Sequence, residues 1–175
     1  MNLSPSIVTN RGQQRMKIHF ITTGGTIDKI YFDAKSEYEI GSPQVAEVLK
    51  EANVVFDFEI EAVLAKDSLE MTDADRSLIR ERVLASTYER IVVTHGTDSM
   101  VETAQALLGV PGKTVVLTGA MQPARFQDSD AVFNIGVAVG AVCSLPHGVY
   151  LAMNGRVFDP RRTRKNRERN RFEEE

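Results

Sequence analysis

The chain has 175 residues, 42% of them hydrophobic and 26% charged, and its formal net charge is −3. These values are typical of one globular domain with a sizeable core, and they exclude a wholly disordered chain. A single cysteine, Cys143, excludes an internal disulfide and a zinc site built from several cysteines. The three histidines lack the spacing of metal ligands, so we expect no metal ion.

The first fifteen residues are polar, contain Pro5 and Gly12, and are predicted to form a loose extension. They lack the apolar segment of a secretory signal, and the chain has no run of about 20 apolar residues. We therefore expect neither export nor contact with a membrane, and the single cysteine favours the cytoplasm. Met16, just before the first apolar strand, is an alternative candidate start.

Strands and helices then alternate along the chain. Continuous apolar runs predict buried strands at residues 18–22, 91–94, 114–118 and 148–153. Residues 56–62 alternate apolar with acidic side chains, which predicts a half-buried strand near a sheet edge. Residues 29–41 have no steady period and are predicted as a loop or loose hairpin.

Four helices are predicted between and after these strands. Ser42 is the expected N-cap of the first, with Pro43 at its first position. Thr72 is expected to cap the second. Its core-facing residues would be Leu78, Ile79, Val83 and Leu84. The third helix ends at Leu108, and the fourth covers residues 131–142.

This order predicts an α/β fold: an open, mostly parallel, doubly wound sheet with helices on both faces, in three layers. In such sheets ligands bind at the carboxyl ends of the strands. Hydroxyl groups gather there at Thr23, Ser68 and Thr97, beside the carboxylates of Asp67 and Asp98.

The Gly24-Gly25 pair after the first strand is open to three interpretations. It lacks the full glycine pattern of a nucleotide site, so a phosphate cradle is weakly indicated. A tight turn requiring positive φ is the structural alternative. The third is a hydroxyl nucleophile at Thr23, which would need a base. Lys165 could be that base, because it lies among other cations and such a setting favours the neutral form of its amine.

Three segments resemble signatures of the bacterial-type L-asparaginase family, in particular its N-terminal catalytic domain. They are Thr23-Gly24-Gly25-Thr26-Ile27, His95-Gly96-Thr97-Asp98-Ser99 and Gly119-Ala120-Met121. Residues 35–38 resemble the family's flexible lid, residues 67–71 its substrate loop, and residues 154–165 the stretch with its catalytic lysine. The chain departs from the pattern at Gln122 and Ala131, and it is about half the usual length.

The resemblance implies hydrolysis of L-asparagine to L-aspartate and ammonia through a threonyl acyl-enzyme, without a cofactor. Thr23 would be the nucleophile, and Tyr38 on the lid would help to relay its proton. Thr97, Asp98 and Lys165 would handle protons and position water. The same resemblance implies substrate contacts at Ser68, Asp67, Gly96, Asp98 and Ala120. The backbone N–H groups near Thr97 and Ala120 would form an oxyanion hole, and His95 would be a packing residue.

The end of the chain is basic. Residues 156–175 carry 8 basic and 5 acidic groups, whereas residues 1–155 carry 13 and 19, respectively. An acidic body argues against nucleic-acid binding, although the tail alone could touch phosphates. We expect a loose extension at residues 1–15, a catalytic domain at 16–166 and a charged tail at 167–175.

Two kinds of alternative function remain. One is glutaminase or broader amidase activity, because one methylene changes pocket fit by only about 1–3 kcal/mol. The other is a catalytically weak amino-acid-binding or regulatory module. We also expect a homo-oligomer, a dimer or larger, in which the helix at residues 131–142 and the sheet edge contact another subunit.

Overall fold

The computed structural model describes residues 16–32 and 37–175, with residues 31, 32 and 37–39 described as backbone only. The predicted extension at residues 1–15 lies outside this part. One six-stranded sheet organises the chain, in the order β4-β1-β5-β6-β7-β8. Its strands are β1 (Lys17–Gly24), β4 (Asp57–Lys66), β5 (Arg90–Thr94), β6 (Thr114–Thr118), β7 (Gly148–Met153) and β8 (Arg156–Phe158). All neighbours are parallel except β7 and β8.

Helices cover both faces of this sheet: α1 (Val45–Glu51), α2 (Asp73–Ala85), α3 (Met100–Ala106) and α4 (Ala131–Ser144). The buried side chains form two apolar clusters, one on each face. Ile79 of α2 packs in the first and Ile135 of α4 in the second. The predicted α/β class is therefore confirmed, and the continuous apolar strands are those buried on both sides.

The sheet order places a topological switch point at the centre of the molecule. From β1 the chain runs outward to β4 on one side and then returns to β5 on the other. Strands β1 and β5 are direct neighbours, with Thr22 opposite Thr94. Because loops diverge at such a point, a crevice forms beyond the carboxyl ends of these two strands.

The structure corrects three local predictions. Helix α1 begins at Val45, and Gln44 rather than Ser42 is its N-cap. The backbone N–H of Gln44 donates to the carboxylate of Asp28, which is distant in sequence and lies at the start of this helix. Helix α3 ends at Ala106 rather than Leu108.

The capping of α2 was predicted correctly, but its core face is narrower than expected. Thr72 forms a capping box with Asp75. Ile79 and Val83 are fully buried, whereas Leu78 and Leu84 are exposed. Because only one stripe of α2 meets the sheet, the leucines beside that stripe remain in solvent.

Two antiparallel hairpins flank the sheet. The segment predicted as a loop or hairpin forms β2 (Lys29–Phe32) and β3 (Glu37–Ile40). The basic end of the chain forms β9 (Thr163–Asn166) and β10 (Arg171–Glu174), here called the basic hairpin. The predicted domain boundary after Asn166 falls inside it. Phe172 of β10 is 3% exposed and packs on Phe158, so the basic hairpin is attached to the body.

None of the described helices is long and apolar enough to cross a membrane.

Candidate active site

Thr23 lies at the end of β1, completely buried. Its hydroxyl donates to the carbonyl oxygen of Thr94 on β5 at 2.9 Å. This bond uses the proton of the hydroxyl and orients the side chain, while the lone pairs of its oxygen remain able to react. The segment from Thr23 to Asp28 is called the Thr23 turn below.

Glycine allows the Thr23 turn to touch the loop after β5. Gly25 has φ +88°, and a Cβ built there would lie 2.4 Å from the backbone nitrogen of Gly96. A Cβ on Gly96 would in turn lie 2.5 Å from Cβ of Ser68, in the loop after β4. No side chain fits at either place, so the Thr23 turn meets Gly96 through its backbone, and Gly96 in turn lies against the Ser68 side chain.

Thr97, Asp98 and Lys165 form a hydrogen-bonded group beside this contact. The Lys165 ammonium donates to the Thr97 hydroxyl at 2.8 Å and to Oδ1 of Asp98 at 2.9 Å. The Lys165 side chain is only 12% exposed. Strand β9 thus brings an amine next to a hydroxyl that lies 68 residues earlier in the chain. Such an amine can take or give a proton at that hydroxyl.

Ser68 and Asp67 follow β4 and have different surroundings. Ser68 is 3% exposed, and its hydroxyl accepts from the backbone N–H of Asp98 at 3.2 Å. Asp67 pairs with Lys29 at 2.8 Å, and its carboxylate also accepts from the Leu69 N–H. The hydrogen bond from Lys29 is the main reason that the pKa of Asp67 lies below its usual range. Asp67 therefore has a local structural role, and its predicted contact with substrate remains a prediction.

The loop after β6 is held by two side chains. The Asp130 carboxylate accepts from the backbone N–H of Met121 at 2.9 Å, and the Asn134 amide donates to the carbonyl of Gly119 at 3.0 Å. Ala120 between them is buried. Among residues 16–32 and 37–175, no acceptor is found for the backbone N–H groups of Thr97 and Ala120.

Two asparagines connect this loop to the basic hairpin. The side-chain oxygen of Asn134 accepts from the backbone N–H of Asn154 at 3.2 Å. The side-chain oxygen of Asn154 accepts from the backbone N–H of Phe172 at 3.0 Å. The position of β10, and hence of its partner β9, is thus tied to helix α4 and to the Gly119 carbonyl.

His95 is fully buried and has hydrogen bonds at both ring nitrogens. Its Nδ1 donates to the carbonyl of Gly96 at 2.7 Å, so Nε2 accepts from the Thr103 hydroxyl at 2.9 Å. Burial lowers the pKa of His95 to about 4, which keeps the ring neutral near pH 7. The ring acts as a packing residue in this arrangement, although its residue type alone suggests catalysis.

Asp28 is a buried residue that the sequence did not single out. It is 2% exposed, and burial raises its pKa to about 6 even though the Gln44 N–H donates to it at 2.8 Å. Its backbone oxygen accepts from Gly41 at 2.7 Å, just after β3. Asp28 therefore links the Thr23 turn to the β2–β3 hairpin and to α1. Asp28 follows the apolar Ile27, and nothing in the sequence around it indicates that its carboxylate is buried.

The structure brings together most of the residues predicted for the site. The crevice is bordered by one residue at the end of β1, one on β9, and five in the segments that follow β4, β5 and β6: Thr23, Lys165, Ser68, Gly96, Thr97, Asp98 and Ala120. Tyr38 falls in β3, opposite Tyr31, but its side chain lies outside the described residues.

The doubly wound sheet thus carries hydroxyl, amine and carboxylate groups at its switch point. A model of the asparaginase N-terminal domain matches residues 17–173. The chain belongs to the asparaginase family.

Individual relatives agree with this assignment. An L-asparaginase of Bacillus licheniformis is 33% identical over 162 residues, which are 85% of this chain and 49% of that protein. A subunit of the glutamyl-tRNA(Gln) amidotransferase of Aeropyrum pernix is 30% identical over 159 residues, 82% of this chain and 36% of the relative. The solved L-asparaginase of Thermococcus kodakarensis superposes with a TM-score of 0.80 at 28% identity, covering 91% of this chain and 51% of that one. The chain thus spans about half the length, or less, of these relatives.

Proposed function

We propose that the chain hydrolyses the side-chain amide of L-asparagine, giving L-aspartate and ammonia. Thr23 attacks the amide carbon, and the backbone N–H groups of Thr97 and Ala120 bind the oxyanion. Ammonia leaves as the threonyl ester forms, and water then cleaves the ester and regenerates the hydroxyl. Splitting the reaction in this way suits an amide, which is a poor electrophile with a poor leaving group.

The remaining groups position the substrate and move protons. The Thr97–Lys165–Asp98 group lies next to the contact of the Thr23 turn with Gly96, so it can exchange protons with the leaving nitrogen and the incoming water. Ser68 would bind the α-carboxylate and Asp98 the α-ammonium, with Asp67 and Gly96 shaping their surroundings. Tyr38 on β3 would assist proton transfer at Thr23.

One observation carries this proposal: the contact of Lys165 with both Thr97 and Asp98. Lysines in basic segments are usually solvated, yet this one is mostly buried against a hydroxyl and a carboxylate. The lysine is therefore positioned to exchange protons with the Thr97 hydroxyl.

Ammonia release from L-asparagine tests the proposal. Thr23→Ala should lower kcat about a thousandfold or more, because the nucleophile is lost. Thr114→Ala is the matched control, since it removes a buried hydroxyl from the opposite end of the sheet. Normal turnover by Thr23→Ala would refute the mechanism.

Glutaminase activity is a second candidate, favoured by the similarity to an amidotransferase. Comparing kcat/KM for asparagine and glutamine separates the two, and a preference for glutamine would favour release of ammonia for use by a partner protein. A non-catalytic amino-acid-binding module would instead be stabilised thermally by asparagine without producing ammonia.

We also propose a cytoplasmic homo-oligomer that needs neither cofactor nor nucleic acid. Val132 and Phe133 on α4 and Val157 on the edge strand β8 are exposed apolar residues near the crevice. A second copy that covers them would shield the same region of the site. Light scattering checks this assembly, and a monomeric mass at micromolar concentration would contradict it.

A further inference from the structure

The two backbone N–H groups assigned to the oxyanion share one structural feature. Each belongs to a peptide unit whose carbonyl oxygen accepts a hydrogen bond from a buried side chain. Nδ1 of His95 donates to the carbonyl of Gly96 at 2.7 Å, and the amide of Asn134 donates to the carbonyl of Gly119 at 3.0 Å. The N–H groups of the same two peptide units are the proposed oxyanion donors, and the described part of the chain offers no acceptor for them.

A hydrogen bond to a peptide carbonyl also sets the direction of the N–H in the same peptide unit. In a planar trans peptide the C=O and the N–H point in opposite directions, so a donor that fixes one also fixes the other. The hydrogen bond further polarises the peptide unit and makes its N–H a stronger donor. Each of the two N–H groups is therefore directed away from the buried side chain that holds its carbonyl.

The position of the proton on the His95 ring follows from its partners. Because the Gly96 carbonyl can only accept, Nδ1 carries the hydrogen. In the neutral ring Nε2 then has none, so it accepts from the Thr103 hydroxyl at 2.9 Å. Thr103 lies on α3, and this helix thus favours the tautomer that can hold Gly96.

The amide of Asn134 is fixed in a similar way. It is fully buried on α4, and its oxygen accepts from the backbone N–H of Asn154 at 3.2 Å. Its nitrogen donates to Asp130 at 2.8 Å as well as to Gly119. A flipped amide would lose all three hydrogen bonds, so the contacts leave one orientation only.

The two peptide units lie in adjacent loops that touch. The backbone N–H of His95 donates to the carbonyl of Thr118 at 2.9 Å. A Cβ built on Gly119 would overlap the backbone oxygen of His95, so only glycine allows the two loops to come this close. At this separation both N–H groups can bind the same oxygen atom of a substrate.

We infer that His95 and Asn134 are positioning residues, which direct the two oxyanion-binding N–H groups through the carbonyls of Gly96 and Gly119. They act through the peptide units and not by contact with the substrate. This inference rests on the proposed function and adds the buried donors on which its oxyanion site depends.

Substitutions of His95 separate this positioning role from a packing role. His95→Leu fills the space without a donor, whereas His95→Asn keeps an N–H at the place of Nδ1 on a smaller side chain. His95→Leu should lower kcat for ammonia release about ten- to a hundredfold and change KM by less than about threefold, because the oxyanion forms only in the transition state. His95→Asn should recover most of kcat, although its cavity leaves it no more stable in urea than His95→Leu.

A second substitution and a control complete the kinetic test. Asn134→Leu removes the other donor and should also lower kcat with little change in KM. His19→Leu is the control, because it removes a buried histidine near the start of β1, at the end of the sheet opposite the crevice. The inference is overturned if His95→Leu or Asn134→Leu keeps the wild-type kcat, if His95→Asn loses as much as His95→Leu, or if His19→Leu lowers kcat equally.

The ring nitrogens of His95 give a measurement that does not depend on activity. Nitrogen-15 NMR spectra of the full chain at about pH 7 should show a neutral ring with its proton on Nδ1. A proton on Nε2 would overturn the inference, because that ring cannot donate to Gly96. If the wild type releases no more ammonia than Thr23→Ala, the proposed function fails, and the tautomer still decides whether His95 fixes the Gly96 carbonyl.

Discussion

The Thr23 turn and the basic hairpin both supply groups to the site, but different forces hold them. The turn is locked by buried backbone hydrogen bonds and by glycine contacts, as where Gly25 N donates to Lys66 O at 2.9 Å. The ion pairs around Glu173 lie within the basic hairpin itself. The hairpin is attached to the body by the buried Phe172, by the hydrogen bond from the Phe172 N–H to Asn154, and by the contacts of Lys165. A rigid element thus carries the expected nucleophile, and a more loosely attached one carries the lysine.

The two regions therefore suit different requirements of a catalytic site, one for a nucleophile and one for a proton-transfer group. A nucleophile must be held within a fraction of an ångström, which requires surroundings that cannot relax. A proton-transfer group with a polar partner tolerates more movement. Substitutions in each region can test whether the turn is indeed rigid and whether the hairpin depends on so few contacts.

The largest effect is expected at Gly25. Gly25→Ala would place a Cβ 2.4 Å from the nitrogen of Gly96, at a φ of +88° that alanine disfavours. Because both neighbours are backbone, we expect a loss of about 5 kcal/mol in the free energy of unfolding, together with loss of activity. Urea denaturation measures this change.

Gly140→Ala is the matched control for that experiment. Gly140 lies inside α4, and a Cβ there meets nothing within 4 Å. This variant should be neutral or more stable by up to about 1 kcal/mol, because alanine favours helix. A Gly25→Ala protein as stable as the wild type would mean that the turn can relax.

The second effect concerns the basic hairpin. Phe172→Ala removes the main apolar contact of β10, and we expect its local unfolding free energy to fall by about 4 kcal/mol. Lys165 lies directly opposite Phe172 in the hairpin, so activity should fall with hairpin order. Amide hydrogen exchange of residues 163–174 measures the loss, which Phe172→Leu should largely restore. Unchanged protection in Phe172→Ala would show that the ion pairs suffice.

The third effect is a pH dependence of opposite sign in the two regions. The pKa of Asp28 is raised from 3.8 to about 6, so folding takes up a proton between these values. The Asp28 contribution to stability therefore decreases as pH rises from about 4 to 6, by about 3 kcal/mol in total. The hydrogen bond from Asn166 to Glu173 lowers the pKa of that carboxyl, so the hairpin loses stability as the pH falls through its lowered pKa.

Asp28→Asn separates these contributions, since it keeps an acceptor for the Gln44 N–H but cannot ionise. Its unfolding free energy should no longer decrease between pH 4 and 6, and it should exceed that of the wild type at pH 7. The same decrease in both proteins would place the titration at another group.

The same contrast explains how far the sequence could predict the structure. The Thr23 turn was predictable because short contiguous motifs encode it: an apolar strand, two glycines and flanking threonines. The parallel sheet followed from apolar runs that alternate with helical segments. Local chemistry dictated these features, as it did the capping box of Thr72 and Asp75.

Features that depend on distant partners were missed. Ser42 was expected to cap α1, but the helix begins after Gln44, whose backbone N–H donates to the distant Asp28. The burial of Asp28 has no local pattern. The neighbouring arginines suggested Lys165 as a candidate amine, but only the family resemblance connected it with Thr97, because β9 brings the two together across the fold. Nor did the charge of the tail reveal that Phe172 anchors it.

Two side chains, Asn134 and Asn154, link the loop after β6 to the basic hairpin, so a change in the stability of one also changes the stability of the other. Asn134 holds the carbonyl before Ala120, and Asn154 transmits that position to the backbone of Phe172. These hydrogen bonds couple order in the loop after β6 to order in the basic hairpin. Any ligand that binds the ordered loop will also suppress fraying of the hairpin, since the free energy of binding is shared between them. The conformational entropy that the basic hairpin loses when it becomes ordered therefore contributes to the affinity of the site for its ligand.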